Sequence, residues 1–235
     1  MKNNSVYGIL KNSDRITYGY SLYNGIVKSS AAGPFEYTAI DNNFSMEFDG
    51  TGDSVDAGDF SLYDNGDFSA SLWINTSSTR STTDYVLSNS GSGSKAGIDI
   101  IIDRFGNVKA ARNTRTSDTN SGFQSVGLTL NTWHHIAFTY TDATRTLIVY
   151  FDGSPVNTSV GSASANSASN TLTIGSYLNT SSFYLGNIDE VALWDTALSE
   201  GTIQAIYNTT NDNPGKVADL SETPEGAPVA WYRFE

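Results

Sequence analysis

The residues that could do acid–base chemistry are few in this chain, and their spacing limits what they can do. Retaining glycoside hydrolysis needs two carboxyl groups about 5–5.5 Å apart. Asp189 and Glu190 are neighbours in sequence, and neighbours on a strand point to opposite faces, so we expect that they do not flank one bond. Asp99 and Asp103 share a strand face but lie roughly 13 Å apart along it. The sequence therefore predicts no catalytic residues.

Metal chemistry is restricted as well. His134 and His135 are the chain's 2 histidines, and as neighbours they also diverge on a strand and do not chelate one ion together. The chain has no cysteine, which excludes disulfides and thiolate metal sites. The sequence therefore excludes a zinc site and predicts no catalytic histidine.

The charge balance excludes two classes of partner. Lysine and arginine number 13 against 25 aspartates and glutamates, for a net charge of -12. Such a surface repels phosphate backbones and anionic membranes. The sequence contains no apolar run long enough for a signal peptide or a transmembrane helix. We therefore expect no nucleic-acid partner and no membrane insertion.

The elements that must position these residues are strands. Apolar residues alternate with polar ones in segments 68–74, 98–102, 136–140 and 147–151, with turn residues between the segments. This pattern predicts an all-β antiparallel sandwich with many hairpins. One short helix is predicted near residues 199–207, with Ser199 as its N-cap. The residues predicted to be buried between the two sheets are Trp73, Ile136, Phe138, Val149 and Ile188.

Several motifs occur in a fixed order along the chain. They are FSMEFDG (44–50), DSV (53–55), FSASLWI (68–74), TWHHIA (132–137), the strand 147–153, GNIDEVALW (186–194) and ALS (197–199). Together they resemble the laminin-G-like jelly-roll domain of the concanavalin A-like lectin/glucanase superfamily, of the type found on phage structural proteins. The resemblance implies a two-sheet antiparallel jelly-roll sandwich. It also implies a structural role for the histidines, beside a buried tryptophan.

The resemblance also divides the chain. It predicts an N-terminal extension over 1–42 as a candidate docking segment, a jelly roll over 43–210, and a linker with a C-terminal strand over 211–235. In the family a strand like Val229–Glu235 opens the domain, so here it either folds back to complete the sandwich or begins a further module. The tyrosines of the extension suit contact with a partner subunit; they are Tyr7, Tyr18, Tyr20, Tyr23 and Tyr37.

Two kinds of site follow from the resemblance. Relatives often hold calcium where a loop like Asp49–Asp53 meets a strand like that of Asp189, so the candidate calcium ligands are Asp49, Gly50, Asp53 and Asp189, with Glu235 as an addition. The same Asp-Gly-x-Gly-Asp sequence is also an ordinary tight turn. For glycans, the resemblance places Trp73, Trp133 and Trp194 in the core. This leaves loop aromatics that form no recognisable platform in the sequence: Tyr85, Phe123, Tyr177, Phe183 and Tyr184.

These observations predict a non-catalytic surface-binding or structural module. We expect it on a virion surface, as a phage head decoration or tail appendage that binds other virion proteins or copies of itself, with cell-surface glycans as further partners. The absence of cysteine and of an export signal, and the N-terminal extension, favour this setting. The alternative is a secreted, extracellular carbohydrate-binding or adhesion module, and a glycoside hydrolase is the remote alternative. Calcium is the one cofactor considered.

Overall fold

The computed structural model describes residues 36–60, 66–78, 81–89, 97–113, 118–161 and 170–234, together with three N-terminal strands. The chain forms two compact units, Met1–Phe35 and Glu36–Glu235. In the first unit, strands β1 (Ile9–Lys11), β2 (Thr17–Tyr23) and β3 (Ile26–Ser29) form an antiparallel sheet. The side chains of this unit, including four of the tyrosines predicted to dock, lie outside the described residues.

The second unit contains fifteen further strands and one α-helix among the described residues. The elements are β4 (Ala39–Asp41), β5 (Met46–Asp49), β6 (Val55–Phe60), β7 (Phe68–Thr76), β8 (Asp84–Ser88), β9 (Gly97–Ile102), β10 (Val108–Asn113), β11 (Asp118–Asn120), β12 (Trp133–Thr141), β13 (Thr146–Phe151), β14 (Ser154–Val160), β15 (Asn170–Ile174), β16 (Leu185–Trp194), α1 (Glu200–Asn211), β17 (Lys216–Ala218), a 3-10 turn (Leu220–Glu222) and β18 (Ala230–Tyr232).

Two antiparallel sheets dominate this unit. The 6-stranded sheet has the order β11-β10-β9-β8-β15-β6, and the 7-stranded sheet has the order β14-β13-β12-β7-β16-β18, with β5 also paired to β16. Strands β4 and β17 form a separate 2-stranded sheet. The predicted all-β sandwich with a single short helix is therefore confirmed for the part of the chain that the structure describes.

The main core lies between the two large sheets and follows the predicted alternation. Ile136, Phe138, Val149 and Ile188 are buried in it as expected. Trp73 is buried too, but on the opposite face of its strand, so its predicted place between the sheets is wrong. The reason is the two-residue period itself, because the inward positions on either side of Trp73 already carry apolar core residues.

A second apolar cluster covers the outer face of the 7-stranded sheet. Trp194 packs there against Ile203 and Ile206 of helix α1 and against Leu220. Ser199 caps the helix as predicted, because its hydroxyl accepts a hydrogen bond from Thr202 N at 3.2 Å. The helix runs to residue 211 rather than 207. No helix in the described part of the chain is long and apolar enough to cross a membrane.

Two predicted boundaries change because of this cluster. Tyr37 is buried in it, and β4 pairs with β17, so residues 36–42 belong to the sandwich unit and not to the extension. The predicted linker after residue 210 also differs, because Val217, Ala218 and Leu220 are buried under the helix. Burial of these apolar side chains holds the segment on the sheet despite its prolines and glycines.

The C-terminal strand returns to the sandwich, which is the first of the two predicted alternatives. Strand β18 pairs with the second half of β16, matching Tyr232 with Val191 and Ala230 with Leu193. Strand β5 pairs with the first half of the same edge, over Leu185 to Ile188. Two short strands therefore share one edge of β16, and they meet where that strand is irregular.

Candidate functional site

The irregularity in β16 is a β-bulge at Asp189 and Glu190. Strand β16 matches Asp189 with Trp73, and the register shifts before it matches Ala192 with Ser71. Glu190 has a φ of 51°, in the left-handed region. A bulge inserts one residue into a strand and interrupts the alternation of side chains, so the two carboxyl groups can lie on one side.

The two carboxyl groups share one hydrogen-bond donor. Asn42 Nδ2 donates to Asp189 Oδ2 at 2.9 Å and to Glu190 Oε1 at 2.7 Å. The prediction that these acids diverge is therefore wrong, because it assumed an unbroken strand. We call Asp189 and Glu190 the acid pair.

Glu190 takes two further donors from the C-terminal strand and the residue after it. Trp231 Nε1 donates to Glu190 Oε2 at 2.6 Å, and Arg233 Nε donates to Glu190 Oε1 at 3.3 Å. Glu190 is 3% exposed and Asp189 is 7% exposed. The pair is therefore a covered group with one arginine beside it.

Burial dominates the electrostatics of the acid pair. It raises the pKa of Asp189 to about 6 and that of Glu190 to about 7, against the hydrogen bonds that favour the charged forms. The charge of Asp189 further raises the pKa of Glu190. Because both groups bind the same amide, they titrate as a coupled pair, and the second negative charge is the unfavourable one.

The raised pKa values predict how stability depends on pH. A carboxyl group with a raised folded-state pKa stabilises the fold fully below its unfolded pKa, and this contribution is lost as pH rises through the folded pKa. We therefore expect the Tm to fall as the pH rises from about 4 to about 7, because the acid pair ionises over this range. Glu190→Gln should flatten this part of the Tm profile, whereas Glu47→Gln, at an exposed position, should leave it unchanged. Parallel profiles for wild type and Glu190→Gln would contradict the assignment.

Beside the acid pair lies a cleft of about 540 Å³ on the outer face of the 7-stranded sheet. Trp133 is 40% exposed there and Phe44 is 67% exposed, while Trp73 is largely covered. The other residues of the cleft are mainly polar; they include Asn42, Asn43, Ser45, Asp189, Thr210, Asn211 and Lys216. An open cavity of this size with aromatic walls and hydrogen-bonding groups is typical of a small-ligand site.

Trp133 was predicted to be buried, and that prediction is wrong, whereas Trp73 and Trp194 are buried as predicted. Trp133 is the first residue of β12, so its ring stands at the rim of the sheet. The ring of Trp73 stacks on Tyr207 of helix α1, with centroids 5.9 Å apart and planes 14° apart. The helix thus covers one tryptophan and leaves the other open.

The segment that carries Phe44 is fixed to the acid pair. Asn42 Oδ1 accepts a hydrogen bond from Phe44 N at 3.1 Å, while Asn42 Nδ2 binds both carboxyl groups. Asn187 Nδ2 donates to Ser45 Oγ at 3.1 Å, one residue further along. One rim of the cleft is therefore held in place through Asn42 rather than left as a free loop.

Thr210 lines the cleft, but its hydroxyl oxygen is covered. The hydroxyl of Thr210 is buried and finds no hydrogen-bond partner within the described residues. A buried hydroxyl without a partner is unfavourable by roughly 1–3 kcal/mol.

The two histidines do not line the cleft, and they make structural contacts within and beside the 7-stranded sheet. Ser71 Oγ lies 2.7 Å from His135 Nε2, but both residues are buried, and burial lowers the pKa of His135 to about 3. His135 also packs against Trp73, with ring centroids 5.2 Å apart. His134 Nδ1 lies 2.8 Å from Asp152 Oδ2 in the adjacent hairpin. These contacts fit the structural role that the resemblance implied.

The candidate calcium ligands are engaged in other contacts. Asp49 Oδ1 accepts from Thr51 N at 2.7 Å, and Asp53 Oδ2 accepts from Asp49 N at 3.0 Å, while Gly50 has a φ of 77°. This is the hydrogen bonding of a tight turn, and Asp189 binds Asn42 instead. Across the described ranges, no three histidine, aspartate or glutamate side chains gather to hold a metal. Calcium at Asp49, Gly50, Asp53 and Asp189 stays a prediction, and Glu235 lies outside the described residues.

The loop aromatics that remained for a glycan do not form a platform in the structure. Tyr184 is fully buried, and its hydroxyl lies 2.9 Å from Thr76 Oγ1. Tyr85 and Tyr177 pack on each other with centroids 4.8 Å apart. Phe123 is exposed on its own beside Lys109, and Phe183 is half-buried. The exposed pair that the sequence reasoning missed is Trp133 with Phe44.

Comparison with known proteins gives a family and a fold. No curated protein matches the sequence. The carbohydrate-binding module CBM40 of the Ruminococcus gnavus IT-sialidase has a TM-score of 0.58 at 12% identity, covering 70% of this chain and 97% of that one. A putative carbohydrate-binding protein of Bacteroides ovatus has a TM-score of 0.52 at 14% identity, covering 93% of this chain and 60% of that one.

A third solved structure is the NanB sialidase of Streptococcus pneumoniae, with a TM-score of 0.56 at 13% identity, covering 71% of this chain and 28% of that one. At these identities the likeness concerns the fold alone. The family is shown by sequence, because the model of the concanavalin A-like lectin/glucanases superfamily matches residues 49–204. This chain belongs to the concanavalin A-like lectin/glucanases superfamily.

Proposed function

We propose that this chain is a non-catalytic carbohydrate-binding module whose sugar site is the cleft beside the acid pair. The observation that carries the proposal is the exposed ring of Trp133, which faces a cleft together with Phe44. A sugar ring has an apolar C–H face that packs on an aromatic ring, and hydroxyl groups at its edge that bond to amides and hydroxyls. Asn43 and Asn211 supply such groups here.

The covered position of Glu190 supports binding without catalysis. A glycosidase needs two carboxyl groups that reach the scissile bond. Asp189 lines the cleft, whereas Glu190 does not line it and borders a small cavity of about 10 Å³, and both of its oxygens already accept hydrogen bonds. A cavity of that size holds about one water molecule. The acid pair therefore has a structural role: its hydrogen bonds hold the C-terminal strand and one rim of the cleft in place.

Similar structures support the proposal at the level of the fold. They include the Ruminococcus gnavus module in complex with α2,3-sialyllactose and the carbohydrate-binding protein of Bacteroides ovatus. A shared fold does not select one ligand or one function. The cleft of this chain is therefore the stronger support.

Removing the ring of Trp133 tests the proposal. On glycans selected by array binding of the full chain, Trp133→Ala should raise the Kd about tenfold or more, because a stacking surface is lost. Phe105→Ala is the matched control, since Phe105 is an aromatic residue that is 71% exposed and does not line the cleft. Titration calorimetry measures both variants, and thermal melts check that both are folded. Unchanged affinity in Trp133→Ala would refute the site.

The setting of the module remains a prediction. We place it on a virion surface, with the unit Met1–Phe35 contacting another virion protein or a second copy, and with an extracellular module as the alternative. The separation of the chain into two compact units supports a division between docking and binding. Deleting residues 1–35 is the natural variant for an assembly assay, because the sandwich begins at residue 36.

A further inference from the structure

The charge around the cleft restricts which sugars fit it. Among the described residues that line the cleft, Lys216 is the only lysine or arginine, and its Nζ lies 2.9 Å from Asp41 Oδ1. Asp189 lines the same cleft and brings a carboxyl group. The chain as a whole carries a net charge of -12. No described lining residue therefore offers a cation that is not already paired.

The helix that borders the cleft adds to this charge. Thr210 and Asn211 are the last residues of α1, so the helix presents its C-terminal end to the cleft. The carbonyl end of a helix carries a partial negative charge, and here the last turn contains no basic residue to compensate it. Anions bind at the opposite, N-terminal ends of helices.

Acidic sugars need the opposite arrangement. A carboxylate or sulfate is usually held by the paired N–H groups of an arginine, or by a group of backbone N–H donors. Among the described residues, Arg233 contacts the acid pair by donating to Glu190, and neither Arg233 nor Glu190 lines the cleft. With its pKa at about 6, Asp189 is mostly ionised at pH 7.5 and repels a second anion.

We infer that the cleft binds glycans without acidic groups and discriminates against sialylated, uronic and sulfated ones. This inference rests on the proposed function and names its ligand class. It separates this chain from the Ruminococcus gnavus module, whose structure contains sialyllactose. The shared fold is compatible with that difference, because ligand choice depends on the side chains of the site.

A glycan array with matched pairs tests the inference on the full chain. Each pair contains an uncharged glycan and its sialylated, uronic or sulfated counterpart, such as lactose and 3′-sialyllactose. We expect the bound glycans to be uncharged and their acidic counterparts to bind about tenfold more weakly, a difference equivalent to about 1.4 kcal/mol. For the uncharged ligands, calorimetry between 50 and 500 mM NaCl should change the Kd less than about twofold, because no ion pair is screened.

Two variants connect this selectivity to the cleft. Asp189→Asn should reduce the ratio of the Kd for acidic glycans to the Kd for uncharged glycans, because it removes a negative charge from the lining of the cleft. Glu200→Gln is the matched control, because it removes one negative charge at the other end of α1, about 16 Å from Asn211. This variant should keep the wild-type ratio of the two Kd values.

The outcomes separate the two proposals. Acidic glycans that bind best and lose binding in Trp133→Ala would overturn the ligand class and leave the sugar site intact. If Trp133→Ala leaves the Kd unchanged, or if the full chain binds no glycan, the proposed function is overturned and this inference with it.

Discussion

Phe138→Ala should lower the free energy of unfolding by about 3–5 kcal/mol, the usual cost of removing a large side chain from a core. Phe138 is fully buried, and its ring meets that of Phe68 edge to face, with centroids 5.6 Å apart. Its partners on the two neighbouring strands are Ala70 and Val149. Strands on both sides hold these small neighbours in place, so the cavity cannot collapse.

Urea unfolding followed by fluorescence measures this loss. Phe105→Ala is the matched control, because it truncates the same type of side chain at a position that is 71% exposed. The control should cost less than about 1 kcal/mol, since little apolar area leaves a buried environment. A cost near zero for Phe138→Ala would mean that the faces of β12 are inverted.

Local patterns predicted much of this fold. The alternation in β7, β12 and β13 identified their inward faces, because a pleated strand imposes a two-residue period on every side chain. Ser199 marked the start of α1, because the N-cap hydrogen bond involves residues only three apart. Both signals lie within a few residues of sequence and do not depend on distant neighbours.

The candidate site could not be predicted in the same way. At the bulge the inward residues Ile188 and Val191 are three positions apart instead of two, but the continuous apolar run after Glu190 obscures this step in the sequence. The φ of 51° at Glu190 and the register shift identify the bulge in the structure. Whether Trp73 or Trp133 is covered depends on where α1 lies on the outer face, which is a tertiary contact. A partial signal was present in Asn131 and Thr132 before Trp133, since turn residues there place the ring at the start of a strand.

The acid pair connects the C-terminal strand to the rim of the cleft. Trp231 and Arg233 bind Glu190, Glu190 and Asp189 share the amide of Asn42, and Asn42 holds Phe44 N. On one face of the strand, Ala230, Tyr232 and Phe234 pack against the main core, and on the other Trp231 packs against the outer cluster. The strand thus contributes apolar contacts on both faces and hydrogen-bond donors to a buried carboxylate.

Deleting residues 229–235 should therefore lower the free energy of unfolding by about 5 kcal/mol or more, a large part of the stability of an ordinary domain. The deletion removes the pairing with β16, the apolar contacts and the donors to Glu190 together. Trp231→Phe separates these contributions in part, because it keeps the strand pairing and an aromatic ring but removes the N–H donor together with the five-membered ring of the indole, at an expected cost of about 1–3 kcal/mol. Thermal and urea unfolding of both variants measure the difference. An unchanged free energy of unfolding after the deletion would contradict the pairing of β18 with β16.

The pH dependence of Arg233→Gln tests the contribution of the arginine separately from packing. Arg233 lowers the pKa of Glu190, whereas burial raises it, and this substitution removes the cation while the strand still covers the carboxyl group. At pH 8 an ionised Glu190 loses its cation, whereas at pH 5 a protonated Glu190 needs none, so Arg233→Gln should destabilise the fold more at pH 8 than at pH 5. Adding Glu190→Gln should remove most of that difference, because glutamine carries no charge at either pH. If Arg233→Gln costs the same at both pH values, Glu190 does not depend on the C-terminal strand for its charge.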